Sequence, residues 1–126
     1  MDRLRQRADF LAVASGARVN AAAFVVQARR RDDDDGPVRV GFTVTKKNGT
    51  ATERNRIRRR LREVVKRVEP QSMRPHCDYV LVGRRAALDR GFDMMLNDLK
   101  TALHRLARQA TPRVRPELND ENRDLT

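Results

Sequence analysis

Apolar residues recur at helical spacing in the middle of the chain. Over residues 52–68 the apolar side chains fall within about one third of a helix circumference, the width of a core-facing stripe. They are Ile57, Leu61, Val64, Val65 and Val68. Thr50 and Glu53 fit an S/T-x-x-E capping box, so the helix is predicted to begin near Ala51, and Pro70 is predicted to end it. Such a helix of about 18 residues is about 27 Å long.

Two other segments are predicted to be helical. Residues 92–110 carry apolar side chains at i, i+3, i+4 and i+7 spacing, which indicates a second amphipathic helix. Its stripe consists of Phe92, Met95, Leu96, Leu99, Ala102, Leu103 and Leu106. A shorter helix is predicted from Arg7 to Ser15, with Gly16 after its end. Phe10 is the large aromatic residue of this short helix.

Three segments have the pattern of β-strands. Apolar and polar residues alternate over residues 22–30 and, most clearly, over residues 38–45, so one face of these strands is core and the other is predicted to be lightly covered. Residues 78–83 form a nearly continuous apolar run, which is typical of a strand buried on both faces. The acidic segment 32–37 separates the first two strands and is predicted to be a solvated hairpin loop.

These elements fit a single domain over residues 1–110 of the 126-residue chain. Residues 111–126 have no apolar period, so we expect a disordered tail. Cys77 is the one cysteine and is interpreted as a small, partly buried thiol. His76 and His104 have no neighbours at metal-ligand spacing, so no metal site is predicted in the protein.

The charge of the chain points to a polyanionic partner. A formal charge of +11 and a pI of about 11.3 favour binding to a phosphate backbone. A membrane surface is the rival polyanion, but no apolar run is long enough to span a bilayer and no signal-peptide core follows Met1. We therefore expect no membrane partner and a cytoplasmic protein.

The predicted helix over residues 52–68 concentrates this charge. It carries eight of the 28 basic residues, against only Glu53 and Glu63. Like charges at i, i+4 repel each other, so this face should be strained until a polyanion covers it. The alternative is an ordinary solvated face, which would normally mix the two signs of charge.

Common catalytic patterns are missing from the sequence. There is no Ser/His/Asp or Cys/His set, no P-loop, no dinucleotide-binding glycine pattern and no carboxylate pair placed to hold two metal ions. We predict no catalytic residue. If the protein takes part in phosphodiester chemistry, another molecule must supply the reacting groups.

Three motifs give the sequence a specific resemblance. They are Arg3-Leu4-Arg5 with Asp9-Phe10 following, the run RVGFTVTKK over residues 39–47, and RNRIRR over residues 54–59 with Arg62-Glu63. On these motifs the chain resembles the protein component of bacterial ribonuclease P over residues 3–108. The resemblance implies an α+β fold, a compact α-β sandwich of order α-β-β-β-α-β-α similar to the second domain of ribosomal protein S5. It also implies a left-handed βαβ crossover, whereas about 98% of such crossovers are right-handed.

The same resemblance implies a function. The chain would be the RNA-binding subunit of ribonuclease P, an endoribonuclease that removes the 5′ leader from precursor transfer RNA. Its partners would be the catalytic RNA subunit and precursor transfer RNA, with one protein monomer per RNA. The chemistry would belong to the RNA and its bound Mg²⁺, and the protein alone would not be catalytic.

Two sets of site residues follow from the resemblance and the pattern together. The surface expected to bind the RNA subunit comprises Lys46, Lys47, Arg54, Asn55, Arg56, Arg58, Arg59, Arg62 and Lys66. The cleft expected to bind the single-stranded leader comprises Phe10, Gln27, Arg39, Thr43 and Thr45, with Val25 beside them. Resemblance alone suggests a metal near Asn55.

The leader cleft departs from the family pattern. Ala14 and Gln27 stand where many relatives have aromatic residues. Since stacking is worth about 1–3 kcal/mol per base, leader binding is expected to be weaker or differently distributed. The alternative for Phe10 is a purely structural core residue.

Three other functions fit the sequence less well. A ribosomal protein would explain the charge, but not the RNR spacing or an open sheet face. A sequence-specific DNA regulator would need a recognition helix with a few base-reading side chains, and usually a dimer. A self-sufficient nuclease is the weakest of the three because no catalytic set is present.

Overall fold

The predicted helices and strands assemble into one sheet with helices on both faces. The computed structural model describes residues 2–4, 6–31, 37–68, 72–74 and 76–110. Its strands are β1 (Asp2–Arg3), β2 (Ala17–Asn20), β3 (Phe24–Arg30), β4 (Arg39–Thr43) and β5 (Cys77–Gly83). Its helices are α1 (Arg7–Ala14), α2 (Ala51–Arg67) and α3 (Phe92–Ala110), with 3-10 turns at Lys46–Asn48 and Arg85–Leu88.

Element order agrees with the fold that the resemblance implied. Apart from the two-residue β1, the described chain reads α-β-β-β-α-β-α, as predicted. All three helices lie where the sequence pattern placed them, to within one residue at the ends of α1 and α2. The residue pattern did not identify β2, and it began β3 two residues early, at Ala22.

The sheet order corrects one prediction. The strands lie in the order β1-β4-β5-β3-β2, so β3 and β4 do not pair with each other. β5 lies between them, parallel to β4 and antiparallel to β3. The hairpin predicted between the first two strands is therefore wrong, because the more apolar β5 takes the central position. The acidic residues 32–36 themselves lie outside the described residues, as does the tail after residue 110.

The α2 helix connects β4 to its parallel neighbour β5, which makes a βαβ unit. This confirms the crossover that the resemblance implied, while its left-handed sense stays a prediction. The central position of β5 accounts for its continuous apolar sequence, because both edges of β5 are hydrogen-bonded and its residues face helices on both sides.

The main core lies between the sheet and the pair α2 and α3. The predicted stripe of α2 is buried throughout, from fully buried Ile57 to Val68 at 5% exposure. It packs with β-strand side chains such as Phe24 and Leu81 and with Leu99 of α3. The stripe therefore fixes which side of α2 faces the sheet, and the charged arc of α2 faces away from it.

The opposite face of the sheet is more covered than predicted. α1 lies on it, and Leu4, Val13 and Val80 form a second, smaller core there, with Phe10 and Val82 packed against them. Phe10 lies directly over Gly41, where a Cβ atom would come within 2.6 Å of the ring. Only part of this face is thus available as a cleft.

A buried carboxylate holds the central strand in register. Asp78 is fully buried, and its carboxylate accepts hydrogen bonds from Arg31 at 2.5 Å and from Arg39 at 2.8 Å to each oxygen. Asp78 lies opposite Arg39 across the β4–β5 pair. Burial alone would raise the pKa of Asp78, but the two guanidinium groups hold it below its usual value.

Candidate nucleic-acid interface

The start of α2 is fixed by the capping box that the sequence predicted. The Thr50 hydroxyl accepts from the Glu53 backbone N–H at 3.1 Å, and the Glu53 carboxylate accepts from the Thr50 N–H at 2.9 Å. This satisfies two backbone donors at the helix start. It also sets the rotation of α2 at the point where its basic arc begins.

The basic turn before α2 is folded back onto this start. Lys46 and Lys47 lie in a 3-10 turn and are exposed. The turn ends at Gly49, whose φ of 144° is a conformation that favours glycine. Arg54 donates from Nε to the Gly49 carbonyl oxygen at 3.3 Å. The two lysines and Arg54 therefore lie in one corner, as the sequence order suggested.

One edge of the α2 arc carries Asn55, Arg58, Arg62 and Lys66. Arg58 donates to the Asn55 side-chain oxygen at 2.6 Å. The guanidinium of Arg62 lies over the Phe42 ring, 5.7 Å from its centroid, and its buried Nε has no hydrogen-bonding partner among the described residues. Lys66 is exposed, with Glu63 at 3.5 Å. Arg62 is thus held by packing, while its outer nitrogens remain for a ligand.

The other edge divides into unpartnered and anchored arginines. Arg56 and Arg59 are exposed, and no hydrogen bond or ion pair links them to another described residue. Arg60 instead donates to the carbonyl oxygens of Ala87 at 2.8 Å and Arg90 at 2.5 Å. Arg67 stacks on Phe92, 4.6 Å from the ring centroid. Arg60 and Arg67 therefore have structural contacts within the protein. The sequence pattern alone could not distinguish these two arginines from the exposed ones.

The charge of this helix is not neutralised within the described part of the chain. No guanidinium of α2 forms an ion pair with a carboxylate there. Of the two acids of α2, Glu63 lies beside Lys66, and Glu53 is paired with Arg85 from outside the helix. All nine residues predicted to bind the RNA subunit lie on α2 or in the turn before it.

Residues of the predicted leader cleft share one face of the sheet. Strand register places Thr43 and Val25 on either side of Val82, and Gln27 beside Val80. Phe10 is half-buried above Gly41 at the edge of this area. Val25 is 4% exposed, so it supports the floor of the area and offers little surface. Thr45 lies just beyond the end of β4 and is exposed.

Arg39 is held differently from the other cleft residues. Two of its nitrogens are bound to the Asp78 carboxylate, and Asp9 of α1 is 3.7 Å away. Its side chain remains 28% exposed. Arg39 therefore ties α1 to the sheet, and the guanidinium that the sequence suggested for leader phosphates lies against two carboxylates, of which it shares Asp78 with Arg31.

The Mg²⁺ implied by the resemblance is expected mainly on the RNA subunit, apart from the suggestion of a metal near Asn55. Among the residues described, no three His, Cys, Asp or Glu side chains gather in a group that could hold a metal ion. The Asn55 oxygen, suggested as a metal neighbour by resemblance, accepts from the Arg58 guanidinium. A ligand oxygen already facing a cation on a strongly basic surface does not fit a divalent metal.

Cys77 is partly buried, as predicted, and burial raises the pKa of its thiol. Within the described ranges, no helix is both long and apolar enough to cross a membrane.

Comparison with known protein families gives an extended match. A family model described as Ribonuclease P matches residues 1–107. The ribonuclease P protein component of Caulobacter vibrioides is 49% identical over 106 residues, which is 84% of this chain and 71% of the relative. That of Ruegeria pomeroyi is 49% identical over 105 residues, covering 82% of this chain and 84% of the relative.

Solved structures match the fold over a similar extent. The RNase P protein of Staphylococcus aureus superposes with a TM-score of 0.66 at 30% identity, covering 82% of this chain and 94% of that protein. The RNase P protein of Thermotoga maritima gives a TM-score of 0.66 at 30% identity, with 86% and 97% covered.

Proposed function

Because the chain belongs to the ribonuclease P protein family, we propose that it is the RNA-binding subunit of a ribonuclease P that removes 5′ leaders from precursor transfer RNA. Cleavage is carried by the RNA subunit with its Mg²⁺, and the protein by itself is not catalytic. The holoenzyme contains one protein monomer per RNA and works in the cytoplasm.

One observation supports this proposal most strongly, namely the basic arc of α2, whose guanidinium groups pair with no carboxylate among the described residues. Its guanidinium groups lie on one rigid helix whose buried stripe turns them away from the sheet. A folded RNA helix presents mainly its shape and its phosphates, and such a surface is matched by a straight row of cations. Because Arg56 and Arg59 have no partner among the described residues, binding RNA does not require breaking a protein contact of theirs.

Docking of the RNA subunit on this arc gives a measurable salt dependence. Each phosphate contact releases counterions, so the logarithm of the affinity falls linearly with the logarithm of the salt concentration. Replacing Arg58 and Arg62 together by alanine should lower affinity for the RNA subunit and reduce the slope by about two. Unchanged binding at moderate salt would contradict the assignment of the arc.

Leader binding is assigned to the sheet face beside α1. Phe10 provides one aromatic surface for a base, and Thr43, Thr45 and Gln27 provide polar contacts around the partly exposed Val82. With Ala14 and Gln27 in place of aromatic residues, stacking is confined to Phe10. Crosslinking from position 10 to the leader tests this, and a signal found only within the protein would remove the cleft from the proposal.

A reconstitution assay tests the function as a whole. Precursor transfer RNA is incubated with the purified protein, with the RNA subunit, and with both, at low Mg²⁺. Cleavage at the 5′ end of the mature sequence that is stimulated by the protein only when RNA is present supports the proposal. Cleavage by the protein alone, or co-purification with ribosomal RNA and no stimulation, would favour a nuclease or a ribosomal protein instead.

A further inference from the structure

Arg85 lies outside the sequence motifs described above, yet it contacts both the Lys46–Asn48 turn and the first turn of α2. Its guanidinium donates to both oxygens of Glu53, at 3.0 and 2.9 Å. Its backbone N–H donates to the Asn48 side-chain oxygen at 3.2 Å. Asn48 in turn donates to the Thr45 hydroxyl at 2.8 Å. Arg85, which is 32 residues after Glu53 in sequence, thus joins the Lys46–Asn48 turn to the first turn of α2.

The chain is folded tightly around this contact. A Cβ atom on Gly49 would come within 2.8 Å of a Glu53 carboxylate oxygen and 3.0 Å of Arg85 Nη1. The backbone at Gly49, between the Lys46–Asn48 turn and α2, therefore packs directly against the Arg85–Glu53 ion pair. Loss of the Arg85 side chain would remove one of the two side chains that this backbone packs against.

This ion pair is a poor source of stability. The Arg85 and Glu53 side chains are 59% and 33% exposed, and exposed ion pairs contribute little to the free energy of folding. Its more direct effect is on charge, because Glu53 is the acidic residue in the first turn of α2, directly after the turn that carries Lys46 and Lys47. An uncompensated carboxylate there would repel RNA phosphates within the screening length of about 8–10 Å.

We propose that Arg85 is a positioning residue for RNA binding, which holds the Lys46–Asn48 turn against α2 and cancels the negative charge of Glu53. This inference rests on the proposed function of the basic arc and adds a residue to it. Arg85 acts through Glu53 and Asn48, so it supplies no phosphate contact of its own.

A double-mutant cycle separates this role from direct contact with RNA. Arg85→Ala should weaken binding to the RNA subunit by about three- to tenfold, the scale of one surface charge interaction. In a Glu53→Gln background, which keeps the capping acceptor and removes the charge, the same substitution should cost less than twofold. Arg84→Ala is the matched control, since it removes an exposed neighbouring charge whose side chain has no partner among the described residues.

Two further measurements complete the test: the salt dependence of RNA binding, and amide hydrogen exchange in the free protein. Arg85→Ala should leave the slope unchanged, and it should speed amide hydrogen exchange at Thr50 and at position 85 in the free protein, whereas Arg84→Ala should not. An equal loss of affinity in both backgrounds, or a slope lowered by about one, would overturn the positioning role. If Arg85→Ala speeds the exchange of these amides but even the unsubstituted protein does not bind the RNA subunit, the proposed function is wrong. The role of Arg85 in holding the Lys46–Asn48 turn against α2 would then still stand.

Discussion

Arg59 and Arg60 are neighbours in sequence, and the structure predicts opposite consequences for their loss. Arg59 is exposed without a partner among the described residues, and it belongs to the surface proposed to bind RNA. Arg60 spans from α2 to two backbone carbonyl groups, those of Ala87 and Arg90. Arg60→Ala should therefore reduce stability, and Arg59→Ala should reduce RNA binding.

The expected size of each effect follows from these contacts. A hydrogen bond from a charged donor is worth about 1.5–3 kcal/mol, and Arg60 makes two that are partly buried. Allowing for water that replaces the guanidinium, Arg60→Ala should lower the free energy of unfolding by about 2–4 kcal/mol. For a domain of this size that is a fall in Tm of roughly 10 °C or more. Arg59→Ala should change the free energy of unfolding by less than about 0.5 kcal/mol.

Both quantities can be measured on the same proteins. Thermal and urea unfolding followed by circular dichroism gives the stabilities, and filter binding to the RNA subunit over a salt series gives the slope. Arg59→Ala should lower the slope by about one, and Arg60→Ala should leave it unchanged below its unfolding temperature. Equal stabilities for the two variants, or a lower slope for Arg60→Ala alone, would refute the division of this edge into free and anchored arginines.

Three further predictions concern the sheet. Asp78→Asn should lower the free energy of unfolding by about 3 kcal/mol at neutral pH, since it breaks a buried ion pair. Because folding lowers the pKa of Asp78, the stabilisation by its carboxylate is present above the unfolded-state pKa and is lost as the pH falls through the folded-state pKa. The variant should therefore lose less stability on acidification than the unsubstituted protein. Gly41→Ala should displace the Phe10 ring and weaken leader binding, while Gly91→Ala, whose Cβ would lie 3.8 Å from the nearest described atom, should not. Equal leader affinities for the two variants would contradict the role of the ring. Burial raises the pKa of Tyr79, the only tyrosine of the chain, to about 12. Its ultraviolet titration should therefore have a midpoint near 12 in the folded protein and about 10 in denaturant. A midpoint near 10 in the folded protein would contradict the buried position.

Helix α2 is the element whose structure the sequence predicts in most detail. Local spacing was sufficient to predict its start at Ala51, its capping by Thr50 and Glu53, and the burial of the stripe from Ile57 to Val68. These features depend on residues within a few turns of each other, so the sequence contains their causes directly.

The functional division of the charged arc could not be predicted in the same way. Arg59 and Arg60 are the same residue type on the same helix, and only the position of Ala87 and Arg90, brought up by the chain after β5, makes one of them structural. Arg85 was missed for the same reason, since its partner Glu53 is far away in sequence.

The sequence by itself determined the helices, the apolar strand β5, the basic character of the surface and, through its motifs, the family. Tertiary structure decided that β5 lies between β3 and β4, that α1 covers part of the second sheet face, and that Arg39 is committed to Asp78. Periodicity records which face of an element is buried, but it carries no information about which distant element buries it. Which strands pair and which charges pair depends on segments that are distant in sequence, because several of them could pack on the same core or bind the same carboxylate. The folded chain as a whole therefore decides these pairings.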